Sequence, residues 1–392
     1  MESFSVQAFF SGFFNIVLDS AFLWLPVIFG YALVKFWIYY ARLYFVSNIE
    51  WVLLDIKLPK EVTKSPRAME MVLNSLYQMR DGNRWDKYWQ GLVRAWYSLE
   101  IVSLEGKIHF YIYVQKGLRG LVEEQIYAQY PEVEIMEAED YTRNISAYNE
   151  EGLKFYSTEF ALKKDDAYPI RTYIDYELHK LENEEEQKTD PMSALLEFMG
   201  SLKGGEQLWF QVLIRATTNT EWKNAGAKII DKLLKRDKEK ETDFGSMTLS
   251  PGERMIVEAI ERNVAKLGYD VCIRAAYLAK EDKYRGTIRG ILGGVMEQYG
   301  SNNLNAFKLV NKTGYLDHFY QFPKTREGWK KERMFDAYVR RSAFYSPHKR
   351  KLYILNTEEL ATIYHFPGAV ITTPTLARIE AKKGEPPAAL PV

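Results

Sequence analysis

The chain predicts an α+β fold: an N-terminal transmembrane helix, two ferredoxin-like (split βαβ) modules, and a small C-terminal helix and strand extension. Three observations lead there. An aromatic and aliphatic run from Phe4 to about Val46 carries only Asp19, Lys35 and Arg42 as charges. Behind it, strand and helix patterns follow the order β-α-β-β-α-β and then repeat it. The first helix of each repeat is led by proline at the matching place, Pro66-Arg67-Ala68-Met69 and Pro191-Met192-Ser193-Ala194.

Ala21 to Val34, continuing through Tyr40, is long enough to cross a hydrocarbon core that needs about 20 helical residues. Lys35 can extend its ammonium to the headgroups while its stem stays in lipid, and Trp37, Tyr39, Tyr40 and Tyr44 suit an interfacial aromatic belt. Lys35, Trp37, Tyr40 and Arg42 are the expected interface anchors. The preceding segment, Phe9 to Leu18, is too short to span and reads as an interfacial helix or the outer part of a tilted span. Glu2 stands where a signal peptide would be basic, and no small-residue cleavage site follows the run, so the anchor is expected to persist. The alternative is a buried hairpin of a soluble domain, which rarely needs so many consecutive aromatics.

Lys35, Arg42, Lys57, Lys60 and Lys64 lie within or after the span, and no Lys or Arg precedes it, which predicts a single-pass inner-membrane protein with its N-terminus outside and its main part cytoplasmic. A single cysteine, Cys272, in 392 residues agrees with a reducing compartment. Asn144-Ile145-Ser146 and Asn311-Lys312-Thr313 are then chance sequons. Lys plus Arg and Asp plus Glu number 52 each, so no global charge argument for nucleic acid exists.

Residues 48–150 form the first expected module. Trp51 to Leu58 reads as a strand, and Pro66 opens an amphipathic helix with Met69, Val72, Leu73 and Leu76 on one face. Tyr97 to Leu104 and Lys107 to Gln115 make a hairpin at Glu105-Gly106. A helix from Leu118 to Tyr130 and a strand from Val133 to Glu137 complete the unit. Residues 151–322 repeat the order less faithfully. Ile170 to Leu178 is expected as a strand, a helix follows Asp190-Pro191, and Leu208 to Ile214 is a buried strand. An insertion supplies a helix near Ala227 to Arg236 and another opened by Ser250, whose spacing to Glu253 is that of a capping box. A strand from Tyr269 to Leu278, a helix from Tyr284 to Tyr299 and a strand from Asn305 to Val310 close the module. One larger α+β domain is the alternative to two modules.

Residues 323–392 read as a basic extension and a linker-like tail. Met334 to Phe344 is expected as a helix and Lys351 to Leu355 as a strand. Asn356 caps a helix that runs to His365, and the Pro- and Ala-rich end offers few core groups.

Leu355-Asn356-Thr357-Glu358-Glu359-Leu360-Ala361-Thr362-Ile363-Tyr364-His365-Phe366-Pro367-Gly368, followed by Thr373-Pro374 and the Pro-Pro-Ala-Ala-Leu-Pro end, resembles the segment that precedes the ATPase in coupling-protein-like conjugative DNA transfer proteins. Ser98-Leu99-Glu100-Ile101, Phe110-Tyr111-Ile112 and Tyr130-Pro131-Glu132-Val133-Glu134 are similar to the upstream region of that bacterial type IV secretion family. The resemblance implies membrane helices and an α+β region ahead of a hexameric FtsK/HerA-class motor. It therefore implies a membrane-anchored scaffold that positions a separate or downstream ATPase, with the bilayer, that ATPase or another secretion component, and a second copy of the chain as expected partners. The motor itself is not in this sequence, which contains no G-x-x-x-x-G-K-[ST]. Gly290-Ile291-Leu292-Gly293-Gly294 lacks the lysine and reads as helix-packing glycines.

No catalytic, cofactor or metal site is expected. His109, His179, His318, His348 and His365 are scattered, Cys272 lies in an apolar strand as an inert thiol, and His365 suits a helix cap. Glu137, Glu139 and Asp140 are the nearest thing to an acid and base cluster. The basic tract from Lys324 to Lys351 carries the candidate contacts Lys330, Lys331, Arg333, Arg340, Arg341, Lys349, Arg350 and Lys351, with Phe322, Trp329, Tyr338, Phe344 and Tyr345 interleaved. That composition suits DNA, as in a membrane-tethered nucleic-acid-binding module. It equally suits an acidic leaflet or protein, or a plain solvated surface.

Overall fold

The computed structural model describes residues 14–15, 18–59, 62–145, 152–180, 189–240, 250–314, 322–368 and 378–379. They divide into two units, Met1–Ile49 with Arg80–Arg94, and Glu50–Met79 with Ala95–Val392. The first is built on α1 (Ala21–Ser47), whose 27 residues extend about 40 Å at the α-helical rise. Among the described residues it is the one helix long and apolar enough to cross a membrane, and none of its most apolar window is buried. Pro26 lies inside it, and Ala41 is its buried residue.

In the second unit, β1 (Trp51–Pro59) leads to α2 (Pro66–Ser75), where Pro66 takes the first turn and Met69, Val72 and Leu73 are buried. After α3 (Arg84–Tyr88), which belongs to the first unit, come β2 (Tyr97–Leu104), β3 (Lys107–Gln115), α4 (Arg119–Gln129) and β4 (Glu134–Ala138). The hairpin turns at Glu105 and Gly106, both at positive φ. The strands pair as β4-β1-β3-β2, the order of a ferredoxin-like unit.

The second set comprises β5 (Leu153–Leu162), α5 (Ser193–Gly200), β6 (Glu206–Ala216), α6 (Glu221–Lys240), α7 (Pro251–Ala265), β7 (Gly268–Lys280), α8 (Ile288–Glu297) and β8 (Phe307–Val310). It pairs as β8-β5-β7-β6, the same order again. The insertion helix α7 has the expected capping box, with Ser250 accepting from the Glu253 N–H at 3.2 Å and Glu253 accepting from the Ser250 N–H at 3.1 Å. The first strand is a correction: it is Leu153–Leu162, and residues 170–178 hold no strand, with turns over 173–179. There Asp175 reaches back to accept the Thr172 N–H at 2.8 Å, and the Leu178 N–H bonds to Tyr173 O at 3.0 Å, so the backbone closes locally where a strand would pair outward.

The edges β2 and β6 pair antiparallel from Tyr97 opposite Ile214 to Leu104 opposite Gln207 and fuse both halves into one sheet. Because side chains alternate along a strand, both sheet faces carry core. Leu54, Phe110, Phe210 and Val212 lie in one apolar cluster with residues of α2, α4, α5, α8 and the tail, whereas Leu53, Val102, Tyr111 and Trp209 lie in another with Met334 and Tyr338. Full burial of each such side chain is worth about 1.5–3 kcal/mol.

Met334 and Tyr338 belong to α9 (Pro323–Val339), which begins before the expected Met334 and ends before Phe344. It stops where the Arg341 N–H bonds back to Tyr338 O and Arg341 itself turns to a φ of 47°. β9 (Tyr353–Asn356) pairs with β7, and α10 (Thr357–Ile363) follows, every residue of it buried. The stretch 353–366 is thus core of the fold. Of the Pro- and Ala-rich tail, only β10 (Arg378–Ile379) is among the described residues, parallel to the end of β1. Residues 1–13 and 16–17, with most of the segment expected as interfacial, lie outside them.

Candidate functional site

Polar side chains cross the middle of the sheet in a single row. Asp55 stands opposite Tyr111, Tyr111 opposite Glu100, Glu100 opposite Gln211, Gln211 opposite Arg274 and Arg274 opposite Glu159, each pair on adjacent strands. Glu100, Gln211, Arg274 and Glu159 are all buried, where polar atoms need partners, and the row meets that need in part: Gln211 Oε1 and Arg274 Nε and Nη1 have none among the described residues. Glu100 Oε1 accepts from Ser98 Oγ at 2.6 Å, Gln211 Nε2 at 2.8 Å and Arg341 Nε at 3.0 Å, while Oε2 accepts from Tyr141 Oη at 2.8 Å. Arg274 donates through Nη2 to Ser342 O at 2.9 Å. Burial pushes the Tyr141 and Tyr338 hydroxyls, 3.1 Å apart, well above the usual tyrosine range.

This row takes two of the eight candidate basic residues, Arg341 and Arg350, out of the expected surface. Arg341 is fully buried, forks onto Asp140 with Nη2 at 2.9 Å from Oδ1, and has its guanidinium carbon 4.4 Å from the Tyr113 ring centre. Burial opposes its charge, yet the Glu100 and Asp140 carboxylates outweigh that and raise its pKa. Burial likewise opposes ionisation of Asp140, and Arg341 more than compensates, holding that carboxyl below its usual range. Arg350 donates to Glu159 Oε1 at 2.7 Å and closes the other end of the row. Arg340 pairs with Asp336 and Lys331 with Glu327, both at 2.7 Å along α9 and its C-terminal cap. Lys330, Arg333, Lys349 and Lys351 remain exposed. Tyr338 and Phe344 are core residues and Tyr345 is half-buried, so of the interleaved aromatics Phe322 and Trp329, 75% and 67% exposed, are the ones displayed to stack on a base. Arg341 was misassigned from composition because a buried arginine and a phosphate-binding one look alike until their carboxylate partners, here about 200 and 240 positions away, are placed.

The remaining chemistry-bearing residues do not converge. Glu137 pairs with Arg119 at 2.6 Å, while Asp140 is held by Arg341. His348 bonds to Asp336 at 2.7 Å, and His365 bridges Asp190 at 3.0 Å and Ala361 O at 2.9 Å, as a helix cap does. His318 lies outside the described residues. Among those described, no three His, Cys, Asp or Glu residues are grouped to hold a metal ion. Burial pushes the Cys272 thiol up to about 11, where it is not a nucleophile at neutral pH. Of the glycines in α8, Gly293 approaches a neighbour, Leu309, whereas Gly290 and Gly294 face open space.

A concavity of about 630 Å³ opens beside Cys272, lined among others by Lys164, Asp166, Trp222, Lys308 and Lys351. Burial pushes the Asp166 carboxyl up to about 6, although Asp166 accepts the Ile354 N–H at 3.1 Å. Its three lysines, Lys164, Lys308 and Lys351, stand among four carboxylates, Glu159, Asp165, Asp166 and Glu221, so charge of both signs lines it and none selects a ligand.

On the first unit, the sequence-expected interface anchors lie on the later turns of α1. Lys35 sits over the Tyr31 ring at 5.2 Å, Tyr40 stacks on Tyr44 at 6.3 Å, and Arg42 is half-buried. Trp37 does more: its Nε1–H donates to Tyr88 O at 3.1 Å, and its ring lies 5.0 Å from that of Trp89. Sequence reading overlooked α3, although Asn83 and Asp86 form a capping box there. The signal was present in Gly82-Asn83-Arg84-Trp85-Asp86, where a cap residue is followed three positions later by a carboxylate.

The described architecture is that of an α+β protein with a helix able to span a membrane. The chain belongs to the family described as Domain of unknown function (DUF8128), which matches residues 45–378. No curated protein matches it.

Proposed function

We propose that this protein is a membrane-anchored cytoplasmic scaffold of a type IV secretion or conjugative DNA-transfer-like machine, positioning a separate or downstream translocation ATPase. The observation that carries this reading is α1, an exposed apolar helix that ends shortly before β1 opens the α+β unit. Such a helix is costly in water and stable in lipid. With the basic residues placed within and after the span, the orientation is N-terminus outside and main body inside the inner membrane. The resemblance of Leu355 to Gly368 to a pre-motor segment supplies the ATPase as partner. The nucleic-acid alternative loses weight with Arg341 inside the protein, Arg350 half-buried on Glu159, and Arg340 and Lys331 already paired.

Affinity purification of the full chain from native membranes tests both parts. The expected result is a protein that resists alkaline extraction and brings down a hexameric motor ATPase. Extraction into the soluble fraction would remove the anchor, and recovery without any ATPase or secretion component would remove the scaffold.

A further inference from the structure

We infer that residues 80–94 form a second membrane contact, an aromatic hairpin fastened to α1 and seated at the headgroup level of the bilayer. The inference rests on the reading of α1 as a membrane span and adds to it a part of the chain lying well beyond the span.

The hairpin and α1 belong to one unit. Two glycines at positive φ shape the hairpin, Gly82 at 63° and Gly91 at 71°. Gly91 is held against the helix itself: a Cβ there would lie 2.3 Å from the Ala41 carbonyl and 2.6 Å from Arg42 N, so only a residue without a side chain allows the approach. Ala41, at that contact, is the buried residue of the helix. One turn earlier on α1, Trp37 donates to Tyr88 O and packs on Trp89, which stacks on Trp85 at 5.0 Å and 18°.

What the hairpin displays after these contacts is unusual for a surface in water. Trp85, Tyr88 and Trp89 are 59%, 53% and 55% exposed and contiguous. The depth of that face follows from α1. About 20 residues from Ala21 fill the hydrocarbon core and bring Trp37 and Tyr40 to its boundary, and Trp89 and Trp85 continue the aromatic cluster from Trp37. Tryptophan and tyrosine favour that boundary because their rings are apolar and their N–H or O–H stays wet. Lys87 and Arg94 pair with Asp81 inside the hairpin, while Arg80 and Arg84 are exposed, so four cations against Asp81 and Asp86 leave a positive balance suited to anionic headgroups. Continuity with the aromatic end of the span, together with this charge, makes lipid the occupant of the face.

The test uses full-length protein in vesicles of phosphatidylcholine and phosphatidylglycerol, labelled with an environment-sensitive fluorophore at Ile28→Cys or Tyr88→Cys. Native Cys272 is buried and gives little background. The expected result is quenching of the position 28 label by nitroxides deep in the acyl chains, and of the position 88 label by nitroxides at the headgroups. A label at 88 open to aqueous quencher, with 28 still quenched from the bilayer, leaves the anchor standing and overturns the hairpin contact. A label at 88 shielded from both water and lipid overturns it in favour of a second protein surface. An unquenched label at 28 removes the anchor and the hairpin contact together. Finally, the paired change Trp85→Ser and Trp89→Ser should abolish headgroup quenching at 88 while leaving 28 unchanged, and unaltered quenching at 88 would also overturn the inference.

Discussion

Phe22, Phe29 and Phe36 on α1 are 73%, 63% and 71% exposed, whereas Phe110 and Phe210 in the sheet are 1% exposed. The same residue type thus serves two surroundings. In the sheet unit, aromatic rings are excluded from water by other rings, and polar groups enter chiefly where they meet a partner, as Glu100 meets Arg341. On α1 the rings meet almost nothing of the chain, and polar groups gather at one end, beside Trp37 and the 80–94 hairpin. Composition alone cannot separate these cases. What separates them is whether apolar residues recur on one face of an element or all round it.

The largest expected effect lies at the buried pair of the sheet unit. Arg341→Ala leaves Glu100 and Asp140 without their cation and should cost about 3–5 kcal/mol, measured as a lowered midpoint in denaturant. Membrane association of the chain should not change. A loss below about 1 kcal/mol would mean that water or a neighbour replaces the guanidinium, and that the row is less dry than its burial implies.

Phe29→Arg reverses the comparison. A charge near the centre of α1 should cost about 2.5–3.5 kcal/mol of insertion, read as a shift of protein from the membrane to the soluble fraction. The denaturation midpoint of the sheet unit should stay put. Equal damage to folding would show that α1 is packed as a core helix.

A smaller effect comes from pH. Asp166 is raised from the usual 3.8 to about 6 in the folded protein, so the fold holds that proton more tightly than the unfolded chain does. Its contribution is fully present below 3.8 and is lost as pH rises through about 6. Because Asp166 is only partly shielded from solvent, about 1 kcal/mol is expected. Asp166→Asn should flatten stability between about pH 4 and 7, and an unchanged pH profile would show that Asp166 titrates normally.

Much of the architecture was legible because periodicity and punctuation survive in local sequence. The hairpin at Glu105-Gly106, the Pro66 helix start, the Ser250 capping box and the Asn356 cap all signal over a few adjacent residues. The opening strand of the second module was misplaced because Ile170 to Leu178 has strand-like composition, and the Asp175 side chain helps turn it back on itself. The candidate site was less legible than the fold. Arg341, Arg350 and Glu100 acquire their roles through partners far along the chain, a relation that composition of the 324–351 tract cannot express. The hairpin was missed for a related reason: its aromatics make sense only beside Trp37, and Trp37 lies on another element.

The placement of β9 and α10 has a consequence for synthesis. β9 completes a flank of β7, and Tyr364 from the segment just after α10 reaches Tyr111 O at 3.2 Å, deep in the first module. Both elements are made after every strand but β10. A ribosome must therefore translate nearly the whole chain before the sheet unit can close, long after α1 has left the exit tunnel. For most of its birth this protein is a long apolar helix trailing an unfinished sheet, and the cell's need for chaperones should be greatest in that interval.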